Sequence, residues 1–125
     1  MKALRTMLLA GAALAFLATL AGCGGGGAEQ YGEAISLTER TPVADILSDP
    51  QALDGTVVRI EGVIQSECPS GCWFTLDDDG AVIWVDLAPH GIAIPQRIGS
   101  PVIVEGPVRI TESRTMVLGS GVELR

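Results

Sequence analysis

A chain of 125 residues has room for one small domain, and sixteen glycines and seven prolines among β-branched runs favour strands over helices. The formal charge of −7 argues against nucleic acid as a partner, because non-specific affinity for phosphates rests on clustered Lys and Arg. With a single histidine, the chain carries no Ser-His-Asp constellation, phosphate loop or His-x-x-x-His pair, and reads as a non-enzyme.

The N-terminus reads as a leader. Lys2 and Arg5 precede an apolar run from Met7 to Leu20, too short to cross a bilayer and of the length of a secretory core. It ends at Leu20-Ala21-Gly22-Cys23, the pattern of a bacterial lipobox. Residues 1–22 are therefore expected to be a lipoprotein signal peptide and Cys23 the lipidated residue. Residues 23–35, in which Cys23 is followed by four glycines, are expected to be the lipidated residue and a flexible tether. Gly24 in place of Asp favours the outer over the inner membrane, by analogy with lipoprotein sorting in Gram-negative bacteria. The expected setting is the cell envelope, lipid-anchored and facing the periplasm, where disulfides are permitted. Without the leader, six arginines and no lysine face fifteen acids, about −9.

Residues 36–125 read as the folded domain. Thr41-Pro42 looks like an N-cap and first helical position, and Val43, Ile46 and Leu47 stripe one face of a short helix ending near Asp49-Pro50. In the strand from Val57 to Gln65, Val58, Ile60 and Ile64 share one phase and Arg59, Glu61 and Gln65 the other, with Gly62 at a bend. Cys68-Pro69-Ser70-Gly71-Cys72 then turns the chain, with Cys68 expected opposite Cys72. Trp73 to Asp77 follows. A type I′ turn at Asp79-Gly80 predicts that Phe74 faces Val85 and Leu76 faces Ile83. The other face is expected to carry Glu67, Trp73, Thr75, Asp77, Trp84 and Asp86, the tryptophans as diagonal neighbours. Asp77-Asp78-Asp79-Gly80 begins like a calcium loop without the later acidic ligand, and reads as a solvated turn.

Ala88 to Ile98 is a loop with room for one helical turn; Pro101 to Ile110 is a fourth strand, broken at Gly106-Pro107. Met116 to Leu124 is a fifth, interrupted at Gly119-Ser120-Gly121. Three meandering strands, a connection and two more strands give the order of a small five-stranded OB-type barrel with a short N-terminal helix. A flat sandwich is the alternative.

Two candidate sites emerge. Cys68 and Cys72 could close a disulfide worth roughly 2 kcal/mol by loop entropy. They could instead join His90, with Glu67 or Asp86 as a fourth donor, in a thiolate and imidazole site suited to Cu(I) or Zn(II). Thiol-disulfide exchange is a third reading, opposed by the three-residue spacing and by Glu67, whose charge raises a neighbouring thiol's pKa. The second site is the face bearing Trp73 and Trp84, with Glu67, Thr75 and Asp86, where OB barrels stack bases or sugars. If open, its acidic rim favours a glycan, a peptide or a cationic ligand; otherwise the helix region or the tether covers it. Assembly with another envelope protein is the remaining partner class.

From Leu37 to about Ile110 the chain resembles an uncharacterised family of bacterial exported OB-fold domains. The residues that carry the resemblance are Gly55-Thr56-Val57-Val58-Arg59-Ile60-Glu61-Gly62, Cys68-Pro69-Ser70-Gly71-Cys72-Trp73 and Gly99-Ser100-Pro101-Val102-Ile103-Val104-Glu105-Gly106. Members often carry Met after the tryptophan; Phe74 stands there, which removes the thioether a copper site would use. The resemblance implies the fold and the exported location, and no activity. A weaker similarity, confined to Val104-Glu105-Gly106 and the location, is to the OB-fold haem chaperone of cytochrome c maturation, whose haem-bearing histidine has no match at His90.

Overall fold

The computed structural model describes residues 27–125, so the leader and Cys23 lie outside the described residues. In chain order come β1 (Glu29–Gly32), α1 (Val43–Ser48), α2 (Pro50–Leu53), β2 (Val57–Glu67), β3 (Trp73–Asp78) and β4 (Ala81–Asp86). A 3-10 turn (Ala88–His90), β5 (Pro101–Ile110), β6 (Thr115–Leu118) and β7 (Gly121–Leu124) complete it. Strands β2, β3, β4, β6 and β5 pair in a closed ring, antiparallel except for the parallel pair β4 and β6. This is the small all-β barrel of OB type that the strand order predicts, and ring closure excludes the flat sandwich.

The ring closes because its two long strands each serve two partners in succession. The first half of β2 pairs with β5 and the second with β3, and they meet at Gly62 and Val63. A Cβ on Gly62 would collide with the Asp77 carbonyl and lie 2.7 Å from Leu76 Cδ2, so the bend admits only glycine. In β5, Val102 to Glu105 pair with β7 and Val108 to Ile110 with β6. The expected break at Gly106-Pro107 does not occur. Val108 N–H points to β2, donating to Thr56 O at 2.9 Å, so by alternation the Pro107 nitrogen faces the gap between β7 and β6. No ladder bond is lost there, and Gly106 lets the Leu118 carbonyl approach.

The buried phase of β2 (Val58, Ile60, Ile64) meets Phe74, Leu76, Ile83 and Val85, and α1 adds Val43 and Ile46, both fully buried. The helix starts one residue later than the sequence suggests, with Pro42 as N-cap and no capping side chain of its own. Its cap comes from β3. Asp78 Oδ2 accepts the Val43 N–H at 3.0 Å, and Oδ1 accepts Arg40. Asp78, read as part of a solvated turn, is therefore only 8% exposed. Asp77 keeps the turn role and accepts the Gly80 N–H at 2.8 Å.

The expected tether to residue 35 is also corrected. Glu29–Gly32 pairs antiparallel with β7, and Glu29 is held by the Tyr31 hydroxyl and by Arg97, each at 2.7 Å. Those two bonds hold the Glu29 carboxyl below its ordinary pKa. Between β1 and α1 the chain is fastened by Glu105, 5% exposed, whose carboxylate accepts the N–H groups of Ser36 and Leu37, the latter at 2.7 Å. Folded structure thus begins by residue 29 instead of 36.

Replacing Asp78 by Ala removes the cap of α1 and strands the Val43 N–H. Urea unfolding is expected to show a loss of about 1–3 kcal/mol with an unchanged m-value, and Asp78→Asn a smaller loss.

Candidate functional site

The β2–β3 turn positions both candidate sites, and its register differs from expectation by one residue. Ser66 pairs with Thr75 and Glu67 with Phe74, and the Cys68 N–H donates to Trp73 O at 3.0 Å. Cys68 therefore stands opposite Trp73, not Cys72. The loop is Pro69 to Cys72, closed by Gly71 N–H on Cys68 O at 2.9 Å. Gly71 supplies the left-handed step, φ 76°. Ile94 packs directly over it and donates its N–H to Gly71 O at 3.1 Å; any Cβ at 71 would collide with the Ile94 carbonyl.

A one-residue slip moves side chains to the other face of a strand. Glu67 leaves the tryptophan face for the side of Phe74, where its Oε2 is enclosed without a hydrogen-bond partner among the described residues. Ser66 takes its place, its hydroxyl 2.6 Å from Thr75 Oγ1, and a bulge at Gln65 absorbs the offset.

The sulfurs still meet. Cys72 Sγ lies 2.9 Å from Cys68 Sγ, and the Ser70 hydroxyl lies 3.0 Å from Cys68 Sγ and 3.6 Å from Cys72 Sγ. Both are free thiols, Cys68 buried and Cys72 half-buried. Hydrogen bonds from the Cys72 thiol first, then from Ser70, pull the Cys68 thiol down from 9.0 to about 6. Glu67 is not among the groups that act on it, as its turn towards Phe74 explains.

Leu87 stands opposite Cys72, as the register predicts, with its N–H on Cys72 O at 2.9 Å. His90, three residues on, is exposed on the 3-10 turn, its N–H donating to Leu87 O at 3.2 Å. Asp86 accepts the Ala88 N–H at 3.1 Å. Among the described residues no three His, Cys, Asp or Glu side chains come close enough to hold a metal ion. The two sulfurs are brought together; His90 is not brought to them.

Across β3 and β4, Phe74 faces Val85 and Leu76 faces Ile83 on the core side, which sets Thr75 opposite Trp84 and Trp73 opposite Asp86 on the outer face. The tryptophans are the diagonal neighbours expected, stacked with centroids 4.0 Å apart and planes 20° apart. Over Trp84 lies a group that sequence reasoning missed, the Arg114 guanidinium, 3.9 Å from the ring centre. Arg114 belongs to the loop joining β5 to β6. In an OB barrel that loop borders the ligand face, the one sequence signal that could have flagged it. Trp84, Thr75, Ser113, Arg114 and Thr115 line an open groove of about 360 Å³.

No family model matches the chain, and no curated protein matches it. Among solved structures it is similar to the hypothetical protein YgiW from E. coli, with a TM-score of 0.56 and 18% identity over 70% of this chain and 90% of that one. This likeness is one of fold, an OB-like barrel shared with an uncharacterised protein.

In the reduced protein, the rate of Cys68 alkylation by iodoacetamide is expected to rise with a midpoint near pH 6. Cys72→Ala should move that midpoint up, and Ser70→Ala by less. Because the folded pKa lies below the unfolded one, the reduced chain gains stability as pH rises from about 6 towards 9, and loses it as pH falls.

Proposed function

We propose that this protein is a lipid-anchored component of the bacterial cell envelope, facing the periplasm, whose OB-type barrel is a non-catalytic binding module for a small ligand, a glycan or a peptide. The observation that carries the reading is the stacked pair Trp73 and Trp84 under Arg114, beside an open groove. It lies on the β3 and β4 face, where barrels of this type take oligosaccharides. The core is filled by Ile, Leu, Val and Phe74, so both tryptophans of a chain with 4% aromatic residues are left on a polar outer surface. With one face of Trp84 on Trp73 and the other under Arg114, the groove presents the edge of the Trp84 ring, the guanidinium and the Thr75, Ser113 and Thr115 hydroxyls, a mixture of apolar and polar groups that suits capture.

Anchoring rests on Leu20-Ala21-Gly22-Cys23 and on Gly24. In that compartment the adjacent thiols of Cys68 and Cys72 are proposed to close as a disulfide that staples the β2–β3 turn. The second reading is a soft ion, Cu(I) or Zn(II), held between the two sulfurs. The lowered Cys68 pKa favours a thiolate there, and the lack of a third donor among the described residues weighs against it.

Tryptophan fluorescence of the mature protein, purified without reductant and two hydrogens light by mass, is expected to be quenched saturably by at least one glycan or short peptide of a panel. Trp84→Ala should weaken that binding about tenfold or more. A panel that leaves the emission unmoved would remove the binding reading. A full-hydrogen mass that rises on adding copper or zinc would replace the disulfide by the metal.

A further inference from the structure

We propose that Cys68 and Cys72 form a redox-exchangeable pair whose disulfide accepts two electrons from a protein dithiol, Cys72 being the sulfur attacked and Cys68 the sulfur that leaves. The inference rests on the disulfide proposed above and gives it a partner and a direction of attack.

Two features of the sequence oppose exchange, the three-residue spacing and the charge of Glu67, and the fold removes both. The turn closes through Gly71 N–H on Cys68 O and seats against Ile94, which leaves the sulfurs 2.9 Å apart in spite of the spacing. Glu67 is turned to the side of Phe74.

The two sulfurs are not equivalent. Cys68 is buried, while Cys72 is half-buried in a turn whose Pro69 and Ser70 are exposed, so an incoming thiolate reaches Cys72 first. Negative charge is accommodated at Cys68. The Ser70 hydroxyl lies 3.0 Å from its sulfur against 3.6 Å from that of Cys72, and the Cys72 thiol donates to it as well. Among the described residues the Ser70 hydroxyl has no partner but these two sulfurs. A stabilised thiolate leaves faster, and a couple whose reduced form is favoured is the more oxidising one. The lowered Cys68 pKa agrees with that arrangement.

The step balances as follows. A thiolate of the partner bonds to Cys72 Sγ, the bond between Cys72 and Cys68 breaks, and its electron pair leaves on Cys68 Sγ. The partner's second thiol gives up its proton and attacks the partner sulfur held by Cys72. Cys72 is released and takes up a proton. The partner departs as a disulfide, two electrons poorer, and the pair remains as the dithiol.

The test equilibrates the oxidised, full mature protein at pH 7 with reduced and oxidised glutathione, followed by acid quench, alkylation and mass measurement. The disulfide is expected to open in millimolar reduced glutathione while the barrel stays folded, where a structural disulfide stays closed. Early quenches should place the glutathione mixed disulfide on Cys72. Ser70→Ala should shift the equilibrium about tenfold towards the disulfide, through the loss of a hydrogen bond to the thiolate. A disulfide that opens only in denaturant overturns the inference and leaves a permanent staple, as does a Ser70→Ala equilibrium equal to that of the wild type. Glutathione found first on Cys68 reverses the assigned direction and overturns the proposal in that form. A pair that stays reduced in oxidised glutathione overturns both this inference and the disulfide it rests on.

Discussion

The close seat of Gly71 against Ile94 governs the functional end of this barrel. Because the Ile94 N–H takes the Gly71 carbonyl and no side chain fits at 71, the β2–β3 loop is fixed at the length that sets Cys68 opposite Trp73. Three consequences follow from that one register: the two thiols converge, Glu67 turns to the Phe74 side, and Ser66 joins Thr75 on the outer face. A loop one residue shorter would have put Glu67 beside the tryptophans, giving their face an added negative charge.

The second hairpin was legible in full, and the contrast with the first is physical. Asp79 and Gly80 both take positive φ, 53° and 93°, and a two-residue turn of that kind leaves one register open to the strands. The pairs Phe74 with Val85 and Leu76 with Ile83, and with them the tryptophan diagonal, could therefore be written from residue types alone. The Pro-Ser-Gly turn carries no such restriction. Its length depends on Ile94, more than twenty residues on, which nothing in the local pattern reveals.

The other departures share that cause. Asp78 belongs by sequence to an acidic turn, yet its partners Arg40 and Val43 arrive from a segment that precedes β2. Glu105 is the one charged residue in the buried run Val102 to Gly106 of β5, and it is tolerated there because Ser36 and Leu37 bring it their N–H groups. Glu29–Gly32 is four residues long and mostly exposed, so only the open edge of β7 makes it a strand. Arg114 is one polar residue in a polar loop until β6 runs parallel to β4 and lowers that loop onto Trp84. Local patterning sufficed for the barrel and for the two tryptophans; the groups that complete the site come from distant segments.

Cross-strand proton contacts in the isotope-labelled protein test the register on which this account depends. The account predicts nuclear Overhauser effects pairing Ser66 with Thr75, Glu67 with Phe74 and Cys68 with Trp73. Contacts pairing Gln65 with Thr75 and Glu67 with Trp73 would contradict it, because they would return the carboxylate to the tryptophan face.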